Sequence, residues 1–203
     1  MIQIIQNDLS EKEKEYIFEH KYVSIDTETT GLNYIEDKLC TIQIMCDDLA
    51  LIIKFDSTQS YNNLKQVLYS EEITKIFHNA VSDVSFLMKN LNMDEFGSLV
   101  CTKIASKLIN GLKHNNSLKP LLQEYLNIKI DKSEQLSDWT KENLSESQKD
   151  YAINDVKYLS QLWKKMHAQL KEAGLEETAD KCFEFVPYYK KTWDKGIENI
   201  FAY

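Results

Sequence analysis

The most informative segment of the chain joins an apolar run to two acids and a glycine: Tyr22-Val23-Ser24-Ile25-Asp26-Thr27-Glu28-Thr29-Thr30-Gly31-Leu32. The run that ends at Ile25 contains aromatic and β-branched residues, which predicts a buried strand. Side chains two positions apart on a strand point to the same face, so Asp26 and Glu28 project together with their Cα atoms roughly 6–7 Å apart. Gly31 then predicts a sharp turn.

These two acids allow two interpretations. Like charges held this close at a strand end are costly unless a cation lies between them. Carboxylate oxygens are the ligands that Mg²⁺ and Mn²⁺ prefer, so Asp26-x-Glu28 is a candidate metal site. The alternative is a polar strand end with two solvated carboxylates, and the spacing alone does not decide between them.

Composition narrows the class of protein. A chain of 203 residues suits one domain with a full core, or one domain with a short extension. No apolar run approaches the roughly 20 residues of a membrane span, and the first residues lack the features of a signal peptide. The four cysteines contain no C-x-x-C pair. We therefore expect a cytoplasmic protein with reduced thiols and no membrane partner.

The charge balance limits how the protein can hold nucleic acid. The net charge is −8, and the chain has no block of five basic residues. Proteins that hold long nucleic acids by their phosphates usually carry a basic face. If this protein binds nucleic acid, we expect it to contact few phosphates.

The hydrophobic pattern predicts a mixed sheet flanked by helices, an α/β fold in one domain over residues 1–203. A tight turn at Asp47-Asp48 requires the strands on either side of it to be antiparallel. The first predicted elements in chain order are an edge strand over 2–6, a helix from a capping box at Ser10 to about His20, the strand ending at Asp26, strands over 38–45 and 49–55, a helix over 61–68 and a strand over 73–78. Next come a helix capped by Ser82 and running to about Leu91, helices over 102–109 and 117–126, and a loop over 127–144. The last are one long helix from a capping box at Ser145 to Gly174, a helix over 176–185 and an irregular tail.

Further acids fall at the ends of predicted helices. Asp83 lies in a first turn, where an acid also complements the helix dipole. Tyr151 and Asp155 are four residues apart, so they share a helix face at the edge of the apolar stripe. Singly, each has an ordinary structural explanation. Together with Asp26 and Glu28 they supply the carboxylates and the phenol that two-metal phosphodiester hydrolysis uses.

Three motifs resemble those of the DEDD superfamily of 3′→5′ exonucleases, in its Tyr-containing branch: Asp26-x-Glu28, His78-Asn79-Ala80-x-x-Asp83 and Tyr151-x-x-x-Asp155. Blocks over 117–126 and 132–139 resemble the ribonuclease D group, although Glu142-Asn143 stands near where that group has Arg-Pro. The small single-domain nanoRNase C family resembles the chain nearly end to end, through stretches over 39–43, 71–78, 101–108, 182–187 and 200–202. The tail between Pro187 and Ile200 matches least.

The resemblance implies a ribonuclease H-like fold, as in DnaQ-like exonucleases, and cleavage of very short RNA, chiefly dinucleotides, to nucleoside 5′-monophosphates. It implies two Mg²⁺ or Mn²⁺ ions held by Asp26, Glu28, Asp83 and Asp155, with Tyr151 positioning the attacking water. It also implies a ring-like homo-oligomer, an octamer, and we expect the C-terminal extension over 175–203 to be used in its contacts.

The same hypothesis suggests substrate contacts. Leu32, just past the turn, would lie against or between the bases, and Thr27 belongs to the segment that would hold the 3′ end. His78, Trp139 and Lys132 are further candidates.

Two other functions remain open at this point. One is a ribonuclease D-like enzyme that trims longer RNA 3′ ends, or an exonuclease that acts on DNA. The other is a non-catalytic nucleic-acid-binding scaffold on the same fold. A scaffold would be free to lose its acids, whereas Asp26, Glu28, Asp83, Asp155 and Tyr151 are all present, which favours an enzyme.

Overall fold

A six-stranded mixed sheet organises the described part of the chain, which in this computed structural model comprises residues 2–131, 134 and 136–200. The strands are β1 (Ile2–Ile5), β2 (Tyr22–Thr29), β3 (Leu39–Cys46), β4 (Leu49–Lys54), β5 (Thr74–Phe77) and β6 (Leu99–Cys101). The helices are α1 (Glu11–Phe18), α2 (Asn62–Tyr69), α3 (Ala80–Asn90), α4 (Thr102–Asn110), α5 (Leu118–Leu126), α6 (Glu146–Lys157), α7 (Leu159–Glu172) and α8 (Glu176–Trp193).

The strand β2, which carries the candidate metal ligands Asp26 and Glu28, lies inside the sheet. The strand order is β1-β4-β3-β2-β5-β6, with β2 antiparallel to β3 and parallel to β5. Asp26 lies opposite Gln43 of β3, and Glu28 lies opposite Thr41. The register shifts between Glu28 and Thr29, so the regular ladder is interrupted directly after the second acid. The antiparallel pairing of β3 and β4 across their short turn is confirmed.

The two faces of the sheet have separate cores. Val23 and Ile25 of β2 belong to the larger cluster, which includes apolar residues of α3, α7 and α8. A smaller cluster on the other face joins Ile52 of β4 to Ala152 and Val156 of α6. Because side chains alternate along a strand, Asp26 and Glu28 face the side that α6 covers.

Both predicted capping boxes are present. Ser10 Oγ accepts a hydrogen bond from the Glu13 amide at the start of α1, and the Glu13 carboxylate accepts one from the Ser10 amide. Ser145 and Gln148 make the same reciprocal pair at the start of α6, over 3.1 and 3.0 Å. The local sequence therefore sets where these two helices begin.

The predicted cap of α3 at Ser82 is wrong. The helix begins three residues earlier, after Asn79, and Ser82 donates its backbone N–H to Asn79 O within the first turn. The chain becomes helical almost directly after β5 because the apolar residues Ala80 and Val84 are both buried there. Asp83 nevertheless lies in the first turn, as predicted.

The long helix predicted over residues 145–174 is in fact two helices. α6 ends at Lys157 and α7 begins at Leu159, and Tyr158 between them has φ −107° and ψ 0°. The apolar residues of α6 pack in the smaller cluster, whereas Leu162 and Met166 of α7 pack in the larger one. A straight helix cannot cover both faces of the sheet, although its four-and-three residue spacing continues across the break.

The last helix is longer than predicted and the tail is correspondingly shorter. α8 continues through Pro187 to Trp193, eight residues beyond the predicted end at Phe185. A proline inside a helix removes one backbone hydrogen bond and costs about 3 kcal/mol. Burial of Phe183 and Val186 in the larger core offsets that cost.

The strand β6 was not predicted. Its three residues are all buried, and they pair in parallel with β5. A run this short carries no readable periodicity. All four cysteines are free thiols, as expected from their spacing. Among the described residues, no helix combines the length and apolar character of a membrane span.

Candidate active site

Three carboxylates converge between the sheet and α6. Oxygen atoms of Asp26, Glu28 and Asp155 all lie within 4.8 Å of one another. The first two come from alternate positions of β2, and the third comes from the helix that covers the same face of the sheet. Asp155 is only 6% exposed, so its charge is largely removed from water. Three negative charges this close favour a cation between them.

Tyr151 lies one helical turn before Asp155, against the same cluster. The side chain is 6% exposed, and its ring packs on Trp139 with the ring centroids 5.8 Å apart. Burial raises the pKa of Tyr151 strongly, and the negative charges of Asp155, Glu28 and Asp26 raise it further. The phenol therefore keeps its proton at neutral pH and can donate a hydrogen bond within the site.

Asp83 approaches the same strand by a different contact and is not one of the three clustered acids. Thr27, the residue between Asp26 and Glu28, donates its hydroxyl to Asp83 Oδ1 over 2.7 Å. Burial raises the pKa of Asp83 to about 7, although the hydrogen bond from Thr27 opposes this shift. Asp83 Oδ2 is buried, and no described group gives it a hydrogen bond.

These residues fit the requirements of a divalent cation. The clustered atoms are carboxylate oxygens, which hard cations such as Mg²⁺ and Mn²⁺ select. The buried Asp83 Oδ2 is a further oxygen whose desolvation a cation would offset. Asp26, Glu28 and Asp155 would hold the cation directly, and Asp83 contacts the same strand through Thr27.

The polypeptide around α6 is fixed by polar contacts that hold Trp139 in place. Lys54 at the end of β4 donates Nζ to Trp139 O and Lys141 O over 3.2 and 2.7 Å. Gln148 in α6 donates Nε2 to Asp138 O over 3.0 Å. Trp139 is 3% exposed and belongs to the smaller core cluster, where it packs beside Tyr151. This is the position of a core residue rather than of a surface substrate contact.

The other predicted substrate contacts differ from one another in exposure and in hydrogen bonding. Leu32 is 90% exposed just beyond the acidic strand. His78 is partly buried, with Nδ1 2.9 Å from the Thr102 hydroxyl at the start of α4. Thr27 is committed to Asp83, as described above. Lys132 lies outside the described residues.

The turn after β2 is closed by an aspartate that the sequence did not point to. Asp37 accepts hydrogen bonds from the Asn33 amide over 2.8 Å and from the Thr30 hydroxyl over 3.4 Å. A Cβ atom at Gly31 would collide with the Asp37 carboxylate. The φ angle of Gly31 is not positive, so a side chain there would act by displacing the Asp37 carboxylate from this turn.

Aromatic residues of α8 lie near the residues that follow β2, and they were not predicted from the sequence as part of the site. Tyr189 and Trp193 line a cavity together with Leu32 and Tyr34. Phe185, Tyr189 and Trp193 recur every four residues, which is a helical stripe. That spacing was the available signal for both the helix and its aromatic face.

The fold and the acidic centre together define a class, that of nucleases with a ribonuclease H-like α/β fold. The sequence profile described as "3'-5' exonuclease" matches residues 1–171. The chain therefore belongs to the 3′-5′ exonuclease family.

Individual relatives agree with this assignment. Ribonuclease D of Sphingobium indicum is 29% identical over 165 residues, which cover 80% of this chain and 42% of that protein. The chain spans less than half the length of the curated ribonuclease D relatives that it matches here. The solved structure of Escherichia coli RNase D has a TM-score of 0.80 at 22% identity, over 94% of this chain and 51% of the other, and so supports the fold.

Structures of NrnC from Brucella melitensis are similar over the whole chain. One has a TM-score of 0.91 at 35% identity and covers 100% of this chain and 98% of the other. Two more are described as bound to pGG and with bound Mg²⁺, with TM-scores of 0.90. The resemblance to exonucleases of the ribonuclease D and NrnC type is thus confirmed.

Proposed function

We propose that this protein is a 3′–5′ exoribonuclease that hydrolyses very short RNA, chiefly dinucleotides, to nucleoside 5′-monophosphates. The observation that carries the proposal is the convergence of Asp26, Glu28 and Asp155 within 4.8 Å, beside the buried phenol of Tyr151. The end-to-end similarity to NrnC, one structure of which is bound to pGG, supports the choice of a short substrate.

The four acids have the role of cation ligands in this proposal. Asp26, Glu28, Asp83 and Asp155 would hold two Mg²⁺ or Mn²⁺ ions. When bound, such a pair supplies positive charge to the attacking and leaving oxygens of an in-line displacement at phosphorus. Asp83 must give up its proton to take part, and its pKa of about 7 allows this near neutral pH.

Tyr151 has the role of orienting the attacking water. Because its pKa is raised, the phenol acts as a hydrogen-bond donor and does not remove a proton. Trp139 positions Tyr151 by packing against its ring. Leu32, His78 and the turn that follows Thr27 would contact the substrate, since Leu32 is exposed next to the acidic strand.

The acidic net charge favours short substrates over long ones. A net charge of −8 gives little attraction to an extended phosphate backbone. A dinucleotide contains one scissile phosphodiester, so recognition must come largely from its bases and ends. Trimming of longer RNA, or of DNA, is the competing activity.

A digest of 5′-labelled RNAs from two to about ten nucleotides long, with Mg²⁺, Mn²⁺ or a chelator, tests the proposal. We expect the dinucleotide to have the highest kcat/KM and the chelator to abolish cleavage. Asp26→Ala should remain folded and lose at least about a hundredfold in activity, because a cation ligand is gone. Nearly equal rates along the series would refute the dinucleotide preference, and an active Asp26→Ala would refute the site.

We also propose that the protein is a homo-oligomer that uses residues 175–203 in its contacts. Ile197 and Ile200, beyond α8, are 46% and 44% exposed, which favours burial against another copy. The mass in solution of the full chain tests this. A monomer at micromolar concentration would contradict it.

A further inference from the structure

Two polar residues of β3 lie directly beside the acidic strand. In the antiparallel ladder Gln43 is opposite Asp26, and Thr41 is opposite Glu28. Residues that are directly opposite each other point to the same face of a sheet, with their Cβ atoms about 4.5–5.5 Å apart. The four side chains therefore form one block, with two residues on each strand, on the face of the sheet that α6 covers.

Gln43 and Thr41 are bonded to each other and are completely buried. Each has 0% of its surface exposed, and Gln43 Nε2 donates a hydrogen bond to Thr41 Oγ1 over 2.6 Å. A hydroxyl that accepts one hydrogen bond still has its own proton to donate. The nearest residue across the ladder is Glu28, whose carboxylate is an acceptor on the same face. Gln43 thus fixes the side chain of Thr41 beside a candidate cation ligand.

The other end of the Gln43 amide has a cost for the stability of the fold. Gln43 Oε1 is buried, and no group in the described part of the chain donates a hydrogen bond to it. A buried acceptor without a donor destabilises the folded state. The other neighbours of Gln43 on this face are apolar, because Met45 is two residues along β3 and Ile52 is opposite on β4. Packing alone therefore does not account for a glutamine at this position.

We propose that Gln43 and Thr41 are positioning residues for the cation ligands. Thr41 orients Glu28, and Gln43 holds Thr41 in place and borders Asp26. This inference rests on the proposed function, because it concerns the same divalent cations. Side chains that contact metal ligands fix the orientation of those ligands, and their loss weakens metal binding. Gln43 and Thr41 act through the acids and take no part in the chemical step.

The double variant Thr41→Val/Gln43→Met tests the proposal, because it replaces both polar partners by apolar groups of similar shape. Its urea midpoint without metal should equal or exceed that of the parent, since the buried acceptor is removed together with its bonded partner. Its affinity for Mn²⁺, measured by electron paramagnetic resonance, should fall by about 10- to 100-fold. Its rate on an RNA dinucleotide should be low at limiting Mn²⁺ and should rise when more Mn²⁺ is added.

A merely structural pair would behave in the opposite way. The double variant would then have a lower urea midpoint than the parent, or would fail to fold, and a folded variant would keep the parental affinity for Mn²⁺. Either a lowered midpoint or an unchanged affinity would overturn the proposal.

Single variants identify the group that matters. Thr41→Ser keeps the hydroxyl and should bind Mn²⁺ more tightly than Thr41→Val, whereas equal affinities would remove the hydroxyl from the account. Ser106→Ala is the matched control. It removes another fully buried hydroxyl, which donates to Asn116 Oδ1 from α4, and should keep the parental affinity for Mn²⁺.

Failure of the two proposals can be separated. If the parent binds no Mn²⁺ and cleaves no RNA of any length, the proposed function is wrong. If the parent binds Mn²⁺ and cleaves the dinucleotide, and the folded double variant keeps the parental Mn²⁺ affinity, only the positioning role of Gln43 and Thr41 is wrong.

Discussion

At the scale of single residues, burial determines what each ionisable group can do. Burial among carboxylates raises the pKa of Tyr151, so the phenol keeps its proton, and burial raises the pKa of Asp83 to about 7 although the hydrogen bond from Thr27 opposes this shift. The sequence predicted the acids and Tyr151 from their spacing. It could not predict that Thr27 binds Asp83, because that bond joins residues 56 positions apart.

Tyr151→Phe isolates the role of the phenol. We expect this variant to bind Mn²⁺ as tightly as the parent but to turn over RNA about tenfold to a hundredfold more slowly, because the water loses its orienting hydrogen bond. Single-turnover kinetics and Mn²⁺ binding measure the two effects separately. An unchanged rate would remove Tyr151 from the mechanism.

The burial of Lys75 predicts how the stability of the fold depends on pH, independently of the active site. It is fully buried in β5, where Nζ donates to Ser70 O and Ile73 O, and burial lowers its pKa to about 7. Its pKa in the unfolded chain is about 10.4, so between pH 7 and 9 the unfolded chain binds more protons. The free energy of unfolding should therefore rise with pH in this window, by up to about 1.4 kcal/mol per pH unit.

Lys75→Met should remove this contribution. Chemical denaturation at pH 7, 8 and 9 would give a flatter dependence for Lys75→Met than for the parent. Lys12→Met, at an exposed position on α1, is the control and should keep the slope of the parent. Equal slopes for Lys75→Met and the parent would show that Lys75 stays charged in the fold.

At the scale of helices and strands, strong local sequence patterns predicted the elements correctly, whereas weak patterns did not. The strands β3 and β4 and the capping boxes of α1 and α6 were predicted from the sequence. The three residues of β6 were too few for a pattern. The break at Tyr158 and the continuation of α8 through Pro187 depend on which core each helix joins, which local propensity does not contain.

The two capping boxes give a matched pair of variants for the role of α6. Ser145→Ala and Ser10→Ala each remove an N-cap hydrogen bond, which costs about 1 kcal/mol of stability. Only α6 carries Tyr151 and Asp155, so Ser145→Ala should also lower kcat, whereas Ser10→Ala should not. Urea denaturation and steady-state kinetics measure both. Equal effects on kcat would mean that the N-terminus of α6 does not position the site.

At the scale of the whole molecule, the sequence motifs were sufficient to predict the family and the fold class, and both are confirmed. The cavity lined by Leu32 and Trp193 could not be predicted from the sequence, because it forms only where α8 packs against α3.

The overall charge leads to an expected salt dependence. Each phosphate contact in a single strand contributes a slope of about −0.7 to log K against log salt concentration. We expect log(kcat/KM) for a dinucleotide to fall with a slope no steeper than about −1.5, which corresponds to two contacts. Steady-state kinetics between 50 and about 400 mM KCl measure it. A slope near −4 would indicate an extended backbone groove and longer substrates.

The central claim is that Asp26, Glu28, Asp83 and Asp155 hold divalent cations, and Mn²⁺ binding followed by electron paramagnetic resonance tests it most directly. Asp155→Asn should weaken Mn²⁺ binding by more than about tenfold. Substitution of a residue that only contacts a metal ligand already lowers metal affinity by about 10- to 100-fold, and Asp155 is a ligand itself in this account. Asp150→Asn, an exposed acid on the same helix, should bind Mn²⁺ like the parent. Parental Mn²⁺ affinity in a folded Asp155→Asn protein would contradict the account.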